Sequence, residues 1–275
     1  MIRAPSIQRR RAASGFYLYA LALQACGDLE EVPRVELPVV VDPGGIERST
    51  SDLGYEVMLT GARAMIENLA FTIAGEAHAR SLRRHVSDLF VSSAYAHPGH
   101  FQGGDVTGEF RGRFQLNWLN ADAPELGRAT LLVGTYASAN FTFIQATEDD
   151  GLAVEDPLLG HTAVLEGVAM RDARAVAFTA IIDSPEGREL VGAPFEFEVR
   201  QSSTEQLGIR LLTLDPFEGD TLFDGVDFFA LDEDADGSLR IDAQATSPEL
   251  IDAYNRLRRT FQTHDHFSVD ASQRE

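Results

Sequence analysis

Apolar and polar residues alternate along much of the chain, and the clearest example is GEFRGRFQLNWL, residues 108–119. One side of this segment carries Phe110, Gly112, Phe114, Leu116 and Trp118. The other side carries Arg111, Arg113, Gln115 and Asn117. Because successive side chains of a β-strand point to opposite faces, a period of two is typical of a strand with one buried face.

Similar short segments follow one another along the chain. TAVLEGVAM and AVAFTAIID flank RDAR within residues 162–183, which predicts a compact β-hairpin. ATLLVGTY and ANFTFIQAT predict two strands joined by a Ser/Ala turn, and PFEFEVRQ and GIRLLTLD predict a further strand pair. Strands this short and closely spaced favour a mainly β fold, either an antiparallel β-sandwich or a jelly roll.

One segment, SPELIDAYNRLRRTFQ, has the period of a helix instead. Ser247 can cap the free amides of a first turn, and Pro248 fits that turn. The apolar stripe consists of Leu250, Tyr254, Leu257 and Phe261. The spacing therefore predicts a C-terminal amphipathic helix over 247–262 that packs on the β-sheet.

The first 25 residues have the layout of an export signal. MIRAPSIQRRRAASG carries four arginines and no acid, and the ten residues FYLYALALQA carry no charge. Ten apolar residues rise only about 15 Å as a helix, about half of a bilayer core, so they are too short for a lasting membrane span.

The end of this signal, Leu23-Gln24-Ala25-Cys26, resembles the lipobox of bacterial lipoproteins. The resemblance implies cleavage before Cys26, a diacylglyceryl thioether on its sulfur, and acylation of the new amino terminus. More than one acyl chain gives stable attachment to a membrane. Gly27 stands where an aspartate would imply retention at the inner membrane, which favours the outer membrane. A buried cysteine in an N-terminal helix is the alternative.

These features predict three parts of the chain. Residues 1–25 form the signal peptide, 26–50 the lipidated cysteine and a tether, and 51–275 a β-sandwich domain that includes an acidic loop, 215–245, and the helix. The tether segment mixes proline, glycine and charge without a helical period. A first strand at Val39-Val40-Val41 is the alternative there.

The net charge narrows the function classes. The formal charge is −20, and removal of residues 1–25, with four arginines and no acid, takes it to −24. Such a surface repels nucleic acid and anionic membranes and attracts cations, so no nucleic-acid partner is predicted. The sequence contains no GxSxG, HExxH or phosphate-binding GxxxxGK[ST] segment, so no enzymatic activity is predicted either.

Six of the seven histidines provide candidate ligands for a transition metal, and His85 is interpreted as a solvated helical residue. In AYAHPGHFQGGD, Pro98 and Gly99 favour a tight turn, which would bring His97 and His100 together. Further candidates are His78, His161, His264 and His266. The last two would share a face if HDH were extended. Imidazole ligands without free thiols favour zinc or Cu(II); polar loop histidines without a metal are the alternative.

A second candidate site lies in DEDADGSLRID, residues 232–242. Its first eight positions resemble the start of an EF-hand calcium loop, with alternate carboxylates and a glycine, Gly237, at the sharp bend. It departs from that pattern because position twelve is Ala243 and no convincing entering helix precedes it. The predicted calcium ligands are Asp232, Asp234, Asp236, Ser238 and Asp242. A solvated acidic turn is the alternative.

Together these patterns predict a non-catalytic lipoprotein of the cell envelope, anchored in the outer membrane and facing the periplasm or the cell surface. Its predicted role is capture or transfer of zinc or copper through loop histidines, with an outer-membrane transporter or another envelope protein as partner. The alternative function is a structural or adhesive surface module that calcium stabilises at 232–242.

Overall fold

The computed structural model describes residues 32–73, 106–120 and 125–273. Within these ranges the chain forms twelve strands and two α-helices. The strands are β1 (Arg34–Val41), β2 (Ser49–Thr50), β3 (Glu56–Ile73), β4 (Val106–Asn117), β5 (Gly127–Leu132), β6 (Gly134–Phe143), β7 (Ala163–Arg171), β8 (Arg174–Ile182), β9 (Glu189–Val199), β10 (Gln206–Leu211), β11 (Ser238–Ile241) and β12 (Phe267–Ser272). The helices are α1 (Phe228–Leu231) and α2 (Pro248–Phe261). The prediction of a mainly β chain is confirmed.

Strand β3 is the centre of the sheet. Its 18 residues pair with β4 along one side, and with β7 and then β6 along the other. Register shifts near Gly61 and Asn68 interrupt these ladders, and such bulges bend a strand. The sheet therefore branches at β3, with β7, β8 and β11 on one branch and β6 and β9 on the other.

The sheet is mixed, so the prediction of a wholly antiparallel sheet is wrong. Strand β1 pairs in parallel with β10, and β11 pairs in parallel with β8. Both parallel pairs join strands that are distant in sequence, and alternation of apolar residues sets the buried face of a strand without specifying the direction of its partner.

One predicted strand pairing, the hairpin β7–β8, is confirmed, and another is wrong. The hairpin β7–β8 forms as predicted, with Asp172 and Ala173 at its turn, both at positive φ (50° and 65°), as a two-residue type I′ turn requires. The predicted pairing of PFEFEVRQ with GIRLLTLD is wrong, because β9 pairs with β6 while β10 lies between β1 and β12. The predicted Ser/Ala turn is also wrong, since Ser138 lies inside β6.

Helix α2 confirms the predicted C-terminal helix. Ser247 is its N-cap, and the Oγ atom accepts a hydrogen bond from the Leu250 amide at 3.3 Å. Phe261 at its last turn packs against Phe143 of β6 and Phe267 of β12, with ring centroids 5.6 and 5.5 Å away. Burial of each such aromatic side chain contributes about 1.5–3 kcal/mol to stability.

From Pro33 onward, the described residues form one compact unit. Strand β1 belongs to it and is buried at Leu37, Val39 and Val41. The predicted tether over 26–50 is therefore too long at its C-terminal end, because the run Val39–Val41 is apolar enough to join the sheet. In the described part of the chain, no helix has the length and apolar character needed to cross a membrane.

Candidate functional site

An aromatic cluster fixes the position of α1 and of the acidic segment after it. Phe228, at the start of α1, is fully buried, and its ring lies 5.1 Å from that of Phe178 on β8 and 5.3 Å from that of Tyr55. Asp227 caps the helix by accepting a hydrogen bond from the Ala230 amide. The run DFFAL thus forms a single helical turn that is anchored by its rings, although one turn is too short to be stable alone.

The residues after this turn, 232–236, form what we call the aspartate loop. Carboxylate oxygens of Asp232, Asp234 and Asp236 lie within 4.8 Å of one another. The loop ends at Gly237, whose φ of +79° places it in the left-handed region that glycine adopts without strain. This is the sharp bend that the sequence predicts. The structure therefore brings together three of the five predicted calcium ligands.

Asp232 differs from the other two acids because it is buried. Its side chain has no exposed area, while Asp234 and Asp236 are exposed. Oδ2 accepts a hydrogen bond from the Arg174 guanidinium at 2.6 Å. Oδ1 is equally buried and accepts a hydrogen bond from none of the described residues. A buried carboxylate oxygen without a donor is costly, so Oδ1 is a candidate ligand atom for a cation.

Arg174 comes from the turn of the β7–β8 hairpin. Its guanidinium carbon also lies 4.4 Å from the ring centroid of Phe229 in α1. The guanidinium carbon of Arg171, at the other end of the turn, lies 5.1 Å from the same ring centroid. Two cation–π contacts therefore join the hairpin turn to α1, the helix that precedes the aspartate loop.

A second hydrogen-bond network supports the same helix. The Tyr55 hydroxyl donates to Asp227 and accepts a hydrogen bond from the Phe229 amide at 3.0 Å. Burial and the bond to Asp227 raise the pKa of Tyr55, and the Tyr55 hydroxyl lowers the pKa of Asp227. The first turn of α1 is therefore held by polar contacts as well as by its rings.

Asp242 does not reach the aspartate loop, contrary to prediction. After Gly237 the chain becomes β11, and an extended strand moves about 3.3 Å per residue away from its start. Asp242 Oδ2 pairs with Arg240 at 2.6 Å, and Oδ1 accepts a hydrogen bond from the Gln244 amide at 2.8 Å. Ser238 opens the strand, and its amide donates to Asp236 Oδ1 at 2.7 Å.

The predicted histidine ligands fall into two sets. His97, His100 and His78 lie outside the described residues, as does Cys26, so the zinc or copper site and the lipidation stay predictions. His161 lies two residues before β7, and its Nδ1 is hydrogen-bonded to Asp183 Oδ1 at 2.7 Å.

The segment HDH is a 3-10 turn, so the extended geometry that would place His264 and His266 on one face is not formed. His266 is buried, and its Nδ1 donates to the Leu212 carbonyl at 2.9 Å, because a carbonyl oxygen can only accept. His264 Nε2 lies 3.1 Å from Asp265 Oδ1. No described histidine belongs to a group of three or more clustered metal-ligand side chains.

Sequence reasoning missed a second acidic group and one basic residue. Asp215, Glu218 and Asp220 also bring carboxylate oxygens within 4.8 Å. The segment DPFEGD offered a signal, because Pro216 and Gly219 favour a turn between the acids. Arg174 had no such signal, since 58 residues separate it from Asp232.

Comparison of the chain with protein-family models, with curated proteins and with solved structures finds no match.

Proposed function

We infer that this chain is a non-catalytic envelope module whose β-rich body is stabilised by a calcium ion bound at the aspartate loop. The observation that carries this proposal is the buried Oδ1 of Asp232, which accepts no hydrogen bond from the described residues and belongs to an acid that is grouped with Asp234 and Asp236. A cation on Oδ1 would supply the missing partner and would also relieve repulsion among the three carboxylates.

The chemistry of the group favours calcium over a transition metal. All three side chains offer hard carboxylate oxygens, which suit calcium and magnesium, whereas zinc and copper favour nitrogen and sulfur. Two of the three acids are exposed, so the remaining coordination positions are open to water. Calcium accepts six to eight ligands in flexible geometry, while magnesium requires a near-ideal octahedron. We expect a dissociation constant of about 10⁻⁴–10⁻³ M, as in extracellular modules.

Calorimetric titration of the full-length chain with calcium chloride tests this function. We expect Asp234→Ala to remove the binding. Glu233→Gln is the matched control, because it removes one exposed negative charge from the same loop but no member of the group, and we expect it to bind calcium like the wild type. The absence of a calcium-dependent signal in the wild type would sink the proposal.

The placement of the module is a further part of this proposal. The lipobox-like segment before Cys26 supports attachment to the outer membrane, facing the periplasm or cell surface, where calcium is accessible. The partner would be another envelope protein or a surface ligand. Mass spectrometry of the native protein tests the anchor: a lipidated Cys26 at the amino terminus is expected, and an intact Met1 with a free thiol would exclude it.

We also propose that the sheet is arranged as a sandwich or jelly roll. Support comes from the packing of Phe141 of β6 against Phe267 of β12, whose ring centroids are 5.3 Å apart although the two strands do not share a ladder. Such side-chain contact between unpaired strands is typical of two layers packed face to face. An experimental structure would test it directly.

A further inference from the structure

A positive charge from outside the aspartate loop, that of Arg174 on β8, contacts one of its three acids. Arg174 is bonded to Oδ2 of Asp232, whose other oxygen, Oδ1, is buried and accepts no hydrogen bond from the described residues. A calcium ion bound to Oδ1 at about 2.3–2.6 Å would lie within about 7 Å of the guanidinium. Two positive charges at that separation repel each other, and partial burial strengthens the repulsion.

The guanidinium has a second contact that would hold it there when calcium binds. Its carbon lies 4.4 Å from the ring centroid of Phe229, and this contact does not involve Asp232. Because Phe229 belongs to α1, the aromatic contact moves with the loop itself. Calcium bound to Oδ1 would leave both the Oδ2 hydrogen bond and the Phe229 contact of Arg174 in place, so the repulsion persists in the bound state.

Asp232 does not depend on Arg174 for its position. Its amide donates to the Phe228 carbonyl at 3.2 Å, and its carbonyl accepts a hydrogen bond from the Ala235 amide at 3.1 Å. These backbone bonds fix the residue at the end of α1. Loss of the arginine charge should therefore leave the carboxylate in place while removing a neighbour that opposes the cation.

Resting on the proposed function, we propose that Arg174 is an affinity-determining residue of the calcium site. Without calcium it neutralises the buried Asp232 and so stabilises the folded protein. With calcium it lowers the affinity by about tenfold through charge repulsion, which keeps the site responsive to the millimolar concentrations found outside cells.

Three variants of the full-length chain separate charge from hydrogen bonding. Arg174→Gln removes the charge and keeps a donor, whereas Arg174→Lys keeps the charge. Arg240→Gln is the matched control, since Arg240 pairs with Asp242 at 2.6 Å, outside the group of three acids. Calcium affinity is measured by chelator competition from the calcium-loaded state, so a variant that requires calcium to fold is still measurable.

We expect Arg174→Gln to bind calcium about tenfold more tightly than the wild type, with Arg174→Lys and Arg240→Gln within about twofold of it. The calcium-free melting temperature of Arg174→Gln should fall by about 5 °C and recover in saturating calcium. Equal or weaker calcium binding by Arg174→Gln would overturn the role of Arg174 while the calcium site stands. Failure of the wild type to bind calcium would instead overturn the proposed function.

Discussion

The two clusters of three acids in the described part of the chain carry the same charge but differ in hydrogen bonding. Each brings three carboxylates within 4.8 Å, and in each the first aspartate is buried. In the aspartate loop, Asp232 Oδ1 accepts no hydrogen bond from the described residues. Asp232 Oδ2 accepts one from Arg174. In the second group, Asp215 Oδ1 accepts one from the Phe217 amide at 2.8 Å, and neither side-chain oxygen of Asp215 is both buried and without a hydrogen bond. The number of acids is the same in both groups and therefore cannot distinguish a candidate cation site from an acidic turn. The hydrogen bonding of the buried carboxylate can.

The largest expected effect is the removal of the buried carboxylate itself. Asp232→Ala should lower the free energy of unfolding by about 2–3 kcal/mol without calcium, because Arg174 loses its partner. The loss stays below that of a fully buried pair because the Arg174 side chain is partly exposed to water. Asp215→Ala should cost only about 1 kcal/mol, the value of one turn hydrogen bond. Urea denaturation without calcium measures both, and equal losses would contradict the distinction between the groups.

The second largest effect is the stabilisation by calcium, which should depend on the aspartate loop and not on the group of Asp215, Glu218 and Asp220. At a calcium concentration ten times the dissociation constant, the wild type should gain about 1.4 kcal/mol, a rise of about 3–6 °C in melting temperature. The double variant Glu218→Gln/Asp220→Asn should keep this rise, and Asp234→Asn/Asp236→Asn should lose it. Each pair removes two exposed acids from its group, so general charge effects are matched. A rise lost in both would indicate non-specific screening.

Local patterns in the sequence predict the elements around the site well. The hairpin turn at Asp172 and Ala173 follows from four residues between two apolar runs, and α2 follows from its Ser247 cap and apolar stripe. These signals lie within a few residues, where turn geometry and helix capping act directly. The spacing of Asp232, Asp234 and Asp236 is equally local, and the structure does bring them together.

Contacts between distant residues were not predictable in the same way. No sequence pattern around Arg174 indicates that it contacts Asp232. That contact depends on the parallel pairing of β11 with β8 and on the packing of Phe228 of α1 against Phe178. The failure of Asp242 to reach the loop has the same origin, since β11 carries it away. Burial of one acid among three also depends on tertiary packing, which no spacing in DEDADG reveals.

A carboxylate with a full set of donors provides the opposite extreme to Asp232. The Arg113 guanidinium, with help from Thr147, lowers the pKa of Asp150 to about 2. Such a pKa would correspond to about 2 kcal/mol of stability, which the partial exposure of Arg113 reduces to about 1 kcal/mol.

Because the pKa is depressed in the folded state, this contribution is present at neutral pH and is lost as the pH falls from about 4 through about 2. Asp150→Asn should therefore destabilise the protein by about 1 kcal/mol at pH 7 and by little at pH 2. Urea denaturation across this range measures the difference. Asp149→Asn, at the exposed neighbour, removes the same charge from the same turn and is the control for general charge effects.

The smallest effect is expected where both partners of an ion pair are exposed. Asp252 accepts a hydrogen bond from Arg256 at 2.9 Å one turn later in α2, and 61% and 48% of their side-chain areas are exposed. Solvent and side-chain entropy reduce such a pair to about 0.3 kcal/mol. A double-mutant cycle of Asp252→Asn and Arg256→Gln isolates this energy, and 1 M salt should remove it. A coupling as large as that expected for Asp150 would mean that burial is not what determines the strength of a carboxylate's contacts in this protein.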